Sequence, residues 1–147
     1  MKNMRIKGMM LFLMTALLFF PVKAEAVGIL DTTKEVTLTI SCKDGDRGIA
    51  NAGFEIYQIG GITEAAEIIP NAAFDGRLPK LRELSGSEWR DLTQELCQLT
   101  QGENLAPVDS GYTDENGMLR FPQDGKKLEQ GLYLIVGGSA RQNGYSY

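Results

Sequence analysis

The chain has 147 residues, of which 43% are hydrophobic and 23% charged, with a formal net charge of −4 and no histidine. The lack of histidine removes the commonest general base, the usual partner of a nucleophile and the commonest zinc ligand, which argues against a hydrolase and a zinc site. The acidic excess would repel a phosphate backbone, so nucleic acid is not an expected partner.

The first 26 residues have the pattern of a secretion signal. Three basic residues precede a mostly apolar run from Met9 to Phe20, and Ala24 and Ala26 are small residues at the two positions that a signal peptidase reads. A membrane anchor is the alternative, but this run of twelve residues is shorter than the stretch of about 20 that crosses a bilayer. We therefore predict cleavage after Ala26 and a secreted, extracellular chain without a transmembrane segment.

The mature segment, residues 27–147, has the length of one domain with a single core. Cleavage removes four of the 15 basic and one of the 19 acidic residues, so 11 basic and 18 acidic residues remain, a net charge of −7. The mature surface is therefore more acidic than the whole chain.

Two strands are predicted near the start of this domain. The segment from Glu35 to Cys42 alternates between apolar and hydroxyl side chains, which is typical of a half-buried strand. Its inward residues are Val36, Leu38, Ile40 and Cys42. A turn at residues 43–48 leads to the strand Phe54–Ile59, with Phe54 and Ile56 on one face and Tyr57 and Ile59 on the other. Because both faces are partly apolar, we expect a helix or loop to cover the outer side.

Residues 60–84 have no clear pattern. The segment Glu64–Ile69 is compatible with a helix or a strand, and Pro70 and Pro79 break any long element. No element is assigned here from the sequence.

One helix is predicted from Ser85 to Thr100, with Gly102 as its stop. Ser85 and Glu88 have the spacing of a capping box, in which each side chain bonds the backbone N–H of the other residue. Apolar residues then recur at helical spacing, and they favour a core-facing stripe over a ligand groove. These residues are Trp89, Leu92, Leu96 and Leu99.

The last third predicts a loop, a tight turn, a strand, a second loop and a strand. In chain order these segments are Leu105–Gly111, Thr113–Gly117, Met118–Phe121, Gln123–Lys127 and Leu132–Val136. Short strands separated by turn residues, with one helix between them, favour a mainly β fold, a β-sandwich with a helical crossover.

Two segments resemble a known family. Ala50–Tyr57 is similar to the "A-G-A-x-F-x-x-Y" segment of prealbumin-like B-type domains, the Cna-B or SpaA-like pilin domains of Gram-positive surface proteins. Thr113–Tyr133 is similar to that family's "T-D-x-x-G-x-x-x-F-x-x-L-x-x-G-x-Y" pattern, with extra loop residues before Leu128. The resemblance implies an immunoglobulin-like or prealbumin-like β-sandwich on the cell wall, used in adhesion or pilus assembly.

Many such domains carry an isopeptide bond from a first-strand lysine to a last-strand asparagine or aspartate, promoted by a buried acid. In this chain Cys42 stands where the resemblance places the lysine and Gly137 where it places the acid, while Lys43 faces solvent by alternation. The acceptor strand would follow Tyr147. We therefore predict that the isopeptide positions are lost and that the domain is truncated, with its final strand outside this sequence.

The cysteines, Cys42 and Cys97, leave two alternatives open. An exported chain permits a disulfide between them, which would close a loop of about 55 residues and contribute about 4 kcal/mol in the chain-entropy model. The other alternative is two buried free thiols that act as small apolar residues.

Candidate metal and acid sites are weak. Asp44–Asp46 and Asp114–Gly117 faintly resemble calcium loops, but neither has a full ligand series, and tight turns favour the same residues. Glu55 is the one acid in the interior of a predicted strand, since Glu35 stands at a strand end, and alternation places it on the outer face. We expect no catalytic residue, metal or cofactor.

The sequence thus favours a non-catalytic structural or adhesive module of the cell surface, of the pilin or adhesin-stalk kind. Its partners would be other surface-protein or pilus subunits, or a host or matrix ligand. Cell-wall attachment would depend on a sortase signal in a longer protein. The alternative is an exported carbohydrate-binding or accessory domain of a secreted enzyme, which needs aromatic residues aligned on an exposed sheet face or a buried acid pair.

Overall fold

The structure, a computed structural model, describes residues 29–139 and the short strand segments 141–142 and 145–146. The predicted signal peptide therefore lies outside the described residues. The elements are β1 (Leu38–Ser41), β2 (Lys43–Asp44), β3 (Arg47–Gly48), β4 (Gly53–Ile62), β5 (Ile68–Pro70), α1 (Gly86–Gly102), β6 (Asp109–Tyr112), β7 (Met118–Phe121), β8 (Gly131–Gly137), β9 (Arg141–Gln142) and β10 (Tyr145–Ser146). Short 3-10 helices lie at Ala72–Phe74 and Leu81–Glu83. The prediction of a mainly β chain with one helix is confirmed.

The longest strand, β4, organises the main sheet. β8 pairs antiparallel along one edge of β4, from Phe54 opposite Gly137 to Gly61 opposite Gly131. Since a strand has two edges, β6 and β5 share the other, with β6 beside the start of β4 and β5 beside its end. The predicted loop Leu105–Gly111 is wrong at its C-terminal end, because residues from Asp109 onward form β6.

A second, two-stranded sheet covers one face of β4. β1 and β7 pair antiparallel, with Leu38 opposite Phe121. The predicted alternation of the first strand is confirmed, because its apolar residues pack inward while Thr37, Thr39 and Ser41 are exposed. Ile56 of β4 and Phe121 of β7 have no exposed surface and form the centre of this layer.

The tight turn predicted after Thr113 joins this second sheet to the main one. The Thr113 hydroxyl accepts the Ala52 N–H at 2.9 Å and donates to the Ile49 carbonyl at 2.7 Å. Gly117 has a φ of +74°, and a Cβ there would lie 2.1 Å from the Cys42 carbonyl oxygen. Only glycine permits this close approach, so the first and last thirds of the domain are held together at this turn.

Helix α1 covers the opposite face of β4. The predicted capping box is present, since the Ser85 hydroxyl accepts the Glu88 N–H at 3.4 Å and the Glu88 carboxylate accepts the Ser85 N–H at 2.7 Å. The helix packs its buried leucines against the main sheet, and the cluster consists of Tyr57, Ile59, Phe74, Leu92, Leu96 and Leu134.

The prediction that Trp89 belongs to the core stripe is wrong, because its side chain is 37% exposed. At 3.6 residues per turn Trp89 projects about 60° from Leu92, at the margin of the stripe. It borders a shallow surface depression that also includes Thr93 and Cys97.

The segment without a sequence assignment continues the main sheet. β4 runs on to Ile62, and a turn with Ala66 at a φ of 58° returns the chain along β5. The undecided segment Glu64–Ile69 is therefore a turn leading into a strand. Phe74, in the following 3-10 helix, is buried in the helix-side cluster.

Candidate functional site

The most distinctive surface feature is a groove between β1 and β8, where the two sheets are not joined. The groove has a volume of about 500 Å³, and none of the residues that line it is charged. Its apolar lining includes Leu30, Val36, Leu38, Ile62, Tyr133 and Ile135. We call this feature the open groove.

The β8 strand presents an open edge to this groove. The Gly138 N–H donates to the Gly53 carbonyl at 2.8 Å, which fixes the alternation of the β4–β8 ladder. The N–H groups of Tyr133, Ile135 and Gly137 therefore point away from β4. Within the described residues β8 pairs only with β4.

The β1 strand presents a second open edge. The Cys42 N–H donates to the Gly117 carbonyl at 2.8 Å, so by alternation the N–H groups of Thr37, Thr39 and Ser41 point away from β7. Over residues 29–139, β1 has β7 as its only strand partner. The groove is thus bounded by two strand edges, one from each sheet.

The two edges run in the same direction. At one end the Val36 N–H donates to the Leu128 carbonyl at 3.4 Å, just before β8 begins. At the other end Cys42 and Phe54 pack against the same small cluster, and Phe54 lies opposite Gly137 at the end of β8. An extended segment between the strands could therefore be antiparallel to both.

Charged side chains cluster at the end of the groove where β8 begins. Lys127 pairs with Glu35, and Lys34 lies 3.8 Å from Asp31. Within the described part of the chain, Glu129 has no ion-pair partner. This end of the groove therefore carries one uncompensated carboxylate.

At the same end of the groove, Tyr133 links β8 to the residues that precede the strand. Its hydroxyl donates to the Glu129 carbonyl at 2.6 Å. Burial raises the pKa of Tyr133, and the nearby Glu129 carboxylate raises it further, while the hydrogen bond to the Glu129 backbone opposes both. The tyrosine is therefore a neutral wall of the groove.

Asp109 is the most buried titratable group among the described residues and was not predicted as a site. Its carboxylate accepts the N–H groups of Gln123 at 2.7 Å and Ser110 at 2.9 Å, and the Lys126 ammonium at 2.5 Å. Burial alone would raise the pKa of Asp109, but the hydrogen bonds from Gln123, Lys126 and Ser110 outweigh it and the pKa is lowered. Asp109 therefore fastens the loop after β7 to the main sheet.

Glu55 lies on the helix-side face of β4, as its predicted outer position implied. Its carboxylate accepts the Tyr57 hydroxyl at 2.7 Å. Burial raises the pKa of Tyr57 to about 12, with a further contribution from Glu55. This pair holds a phenol neutral, which suits packing better than proton transfer.

The two cysteines are not brought together. Cys42 packs beside Ile49 and Ala52 next to β1, whereas Cys97 lies on α1, and both thiols are free. At the positions where the resemblance expects a lysine and an acid, Cys42 packs against the same small cluster as Phe54, and Gly137 lies against the Phe54 ring. A thiol and a glycine cannot supply the ammonium and the carboxyl group of that chemistry. Lys43 is exposed in β2.

The two calcium-like segments are turns. The Asp114 carboxylate accepts the N–H groups of Asn116 and Met118, both at 2.8 Å, so it closes its own loop. Asp44 and Asp46 belong to the β2–β3 hairpin. Among the described side chains, no group of three or more metal-ligating residues comes together.

Comparisons with known proteins identify no relative, so the function of this chain is inferred from its own geometry. No protein-family model, no curated protein and no solved structure matches the chain. Over the described residues, no helix has both the length and the apolar character needed to cross a bilayer.

Proposed function

We propose that the chain is a non-catalytic structural or adhesive module of an exported cell-surface protein, of the pilin or adhesin-stalk kind. The observation that carries the proposal is the open groove, flanked by two strand edges and free of charge along its lining. Such edges are a template for pairing with another strand, which suits assembly better than turnover of a small substrate.

The fold proposed within this function is a prealbumin-like sandwich. Its support is that Thr113 and Gly117, from the segment with the family resemblance, make the contacts that join the two sheets. Location on the cell wall, and partners among surface-protein or pilus subunits or matrix ligands, belong to the same proposal.

A carbohydrate-binding role has less support. Among the tyrosines, Tyr57 is buried, Tyr133 is half-buried and Tyr112 is 73% exposed, and the side chains of Tyr145 and Tyr147 lie outside the described residues. The exposed aromatic rings among the described residues, Tyr112 on β6 and Trp89 on α1, lie on different elements and do not form the row that an extended glycan would need.

An export experiment tests the proposal. The whole chain, fused at its C-terminus to a reporter enzyme and produced in a Gram-positive host, should appear outside the membrane with Val27 as its first residue. The control is Leu13→Arg, which places a charge in the apolar run and should keep the fusion inside. Retention of the unaltered fusion in the cytoplasm, or hydrolysis of glycans by the purified chain, would contradict the proposal.

A further inference from the structure

We infer that a depression at the C-terminal end of α1 binds an arginine side chain of a partner protein, with the guanidinium between the Glu55 carboxylate and the Tyr112 ring. The depression has a volume of about 410 Å³ and lies on the helix-side face of the main sheet. The side chains around it include Glu55, Gln101, Ser110, Tyr112 and Val136. We call it the helix-end depression. It shares no lining residue with the open groove, so the inference goes beyond the proposed function and does not depend on export.

The pairing of β4 with β6 places an aromatic ring near a carboxylate. Tyr112 lies opposite Gly53, and Ser110 lies opposite Glu55. Because Gly53 and Glu55 are two residues apart on one strand, all four positions are on the same face of the sheet. Tyr112 is therefore the diagonal neighbour of Glu55, at the spacing of about 7–8 Å that long side chains can bridge.

The Tyr112 ring is open to a ligand. A Cβ on Gly53 would lie 3.2 Å from the Tyr112 Cε1 atom, so one edge of the ring rests on the glycine. Tyr112 is nevertheless 73% exposed, which leaves most of the ring in contact with solvent. Cations bind over the faces of tyrosine rings, and arginine does so more often than lysine.

Glu55 supplies a carboxylate without a counter-ion. One of its oxygens accepts the Tyr57 hydroxyl at 2.7 Å, and over residues 29–139 Glu55 has no ion-pair partner. Among the described residues that line the depression, Glu55 alone is charged. A cation is therefore the charge that complements this site.

The end of α1 adds negative potential at the same place. A helix C-terminus carries a partial negative charge, which basic side chains in the last turn stabilise. α1 has no basic residue in its last turn, and its C-cap residue is Glu103. Gln101, in that turn, lines the depression, and its side-chain oxygen is an acceptor for a donor group. The carboxylate, the ring and the helix end thus favour the same kind of ligand.

Shape selects arginine among the cations. A guanidinium is planar and has five N–H donors, so it can stack on Tyr112 while it bonds Glu55 and Gln101. An ammonium is a compact point charge and has no flat face to stack. The mature chain, with 18 acidic and 11 basic residues, attracts a partner with a basic surface. The partner is therefore a protein that presents an exposed arginine on such a surface.

The probe is the capped tripeptide Gly-Arg-Gly, titrated into the purified, isotope-labelled chain while amide shifts are followed by NMR. Because one side chain binds weakly, the measured quantity is the initial slope of the amide shifts of Ser110 and Val136 against peptide concentration. We expect a slope at least about fivefold larger than with a citrulline peptide, which has the shape of arginine without its charge. A lysine peptide should give a slope about two- to threefold smaller than arginine.

Substitutions locate the site. Glu55→Gln keeps an acceptor for the Tyr57 hydroxyl but removes the charge, and it should lower the arginine slope about fivefold or more. Tyr112→Ala removes an exposed ring and should lower the slope about two- to fivefold. The matched control is Glu129→Gln, which removes an exposed carboxylate outside the depression and should change the slope by less than about twofold.

Five outcomes would overturn the inference. They are equal slopes for the arginine and citrulline peptides, equal loss in Glu55→Gln and Glu129→Gln, no shift at the helix-end depression, larger shifts there with N-acetylglucosamine than with the arginine peptide, and a response that appears only after Arg141→Gln. The fourth would make the ligand a saccharide. The fifth would mean that this chain's own arginine occupies the site.

Discussion

The two faces of the main sheet are covered to different extents. On the helix side, Tyr57, Ile59 and Leu134 are each at most 7% exposed beneath α1. On the other side, Ile56 is fully buried by the β1–β7 sheet, but Ile135 on the neighbouring strand is 42% exposed at the open groove. Consecutive residues of β8 therefore differ in burial, since Leu134 packs in the core and Ile135 lines the open groove. The groove can be altered without removing the core.

The largest expected effect tests this separation within one strand. Leu134→Ala removes a buried side chain between β8 and α1 and should lower the free energy of unfolding by about 2–5 kcal/mol. Ile135→Ala, one residue away, should lower it by about 1 kcal/mol or less, because the side chain is already partly in water. Urea unfolding followed by tryptophan fluorescence measures both. Equal losses in the free energy of unfolding would show that Ile135 contributes as much to the core as Leu134.

Asp109 fixes the loop between β7 and β8, which leads to the open groove. The carboxylate accepts the Gln123 and Ser110 N–H groups on separate oxygens. An amide has one acceptor oxygen, so Asp109→Asn leaves one donor facing an NH₂ group and should cost about 1–3 kcal/mol at neutral pH. Asp124→Asn, on the same loop with an exposed side chain, is the control and should change stability by about 0.5 kcal/mol or less.

The pH dependence of the Asp109 effect has a definite sign. The pKa of Asp109 in the folded chain is below its ordinary value of 3.8, so the carboxylate stabilises the fold fully above that pH. The contribution is lost as the pH falls through the lowered pKa. The difference in urea midpoint between the unaltered chain and Asp109→Asn should therefore be constant from pH 7 to about 5 and shrink below about 3.8. A difference that grows with acidification would contradict the assignment.

A smaller effect on stability is expected at the N-terminus of α1, the helix that covers one face of the main sheet. Ser85→Ala removes the hydroxyl that accepts the Glu88 N–H and should cost about 0.5–2 kcal/mol. Gln94→Ala is the control, since Gln94 is an exposed residue of the same helix outside its first turn. Hydrogen exchange should show faster opening of the first turn of α1 in the Ser85 variant alone. Faster exchange spread over β8 as well would mean that the two faces are coupled.

Local patterns in the sequence predicted the parts of the fold that depend on near neighbours. The alternation from Val36 to Cys42, the Ser85 capping box and the turn at Asp114 each have their cause within a few residues, and each is present in the structure. The same is true of β7 and β8, whose apolar runs lie between turn residues.

Elements that form only through contacts with residues distant in the sequence could not be predicted from local patterns. β6 has the sequence Asp-Ser-Gly-Tyr, without apolar alternation, and it is a strand because β4 pairs with it. Asp109 was missed because a carboxylate in a loop-like segment gives no sign that Gln123 and Lys126 will surround it. The open groove exists only where two sheets approach, although the lack of charge in β8 was a visible signal of an unusual edge.

The smallest predicted effect concerns the cysteines, which lie in the layers on opposite sides of the main sheet. Cys97 is a free thiol on α1, and the Gln101 side-chain amide donates to its sulfur at 3.8 Å. Cys97→Ala should therefore change the free energy of unfolding by less than about 1 kcal/mol, whereas loss of a disulfide would cost about 2–5 kcal/mol. Unfolding without reductant, together with thiol titration of the unfolded chain, measures this, and two thiols per chain are expected. If reductant lowers the stability of the unaltered chain by as much as the substitution does, a bond to Cys42 joins the two layers, and the groove side and the helix side are not independent.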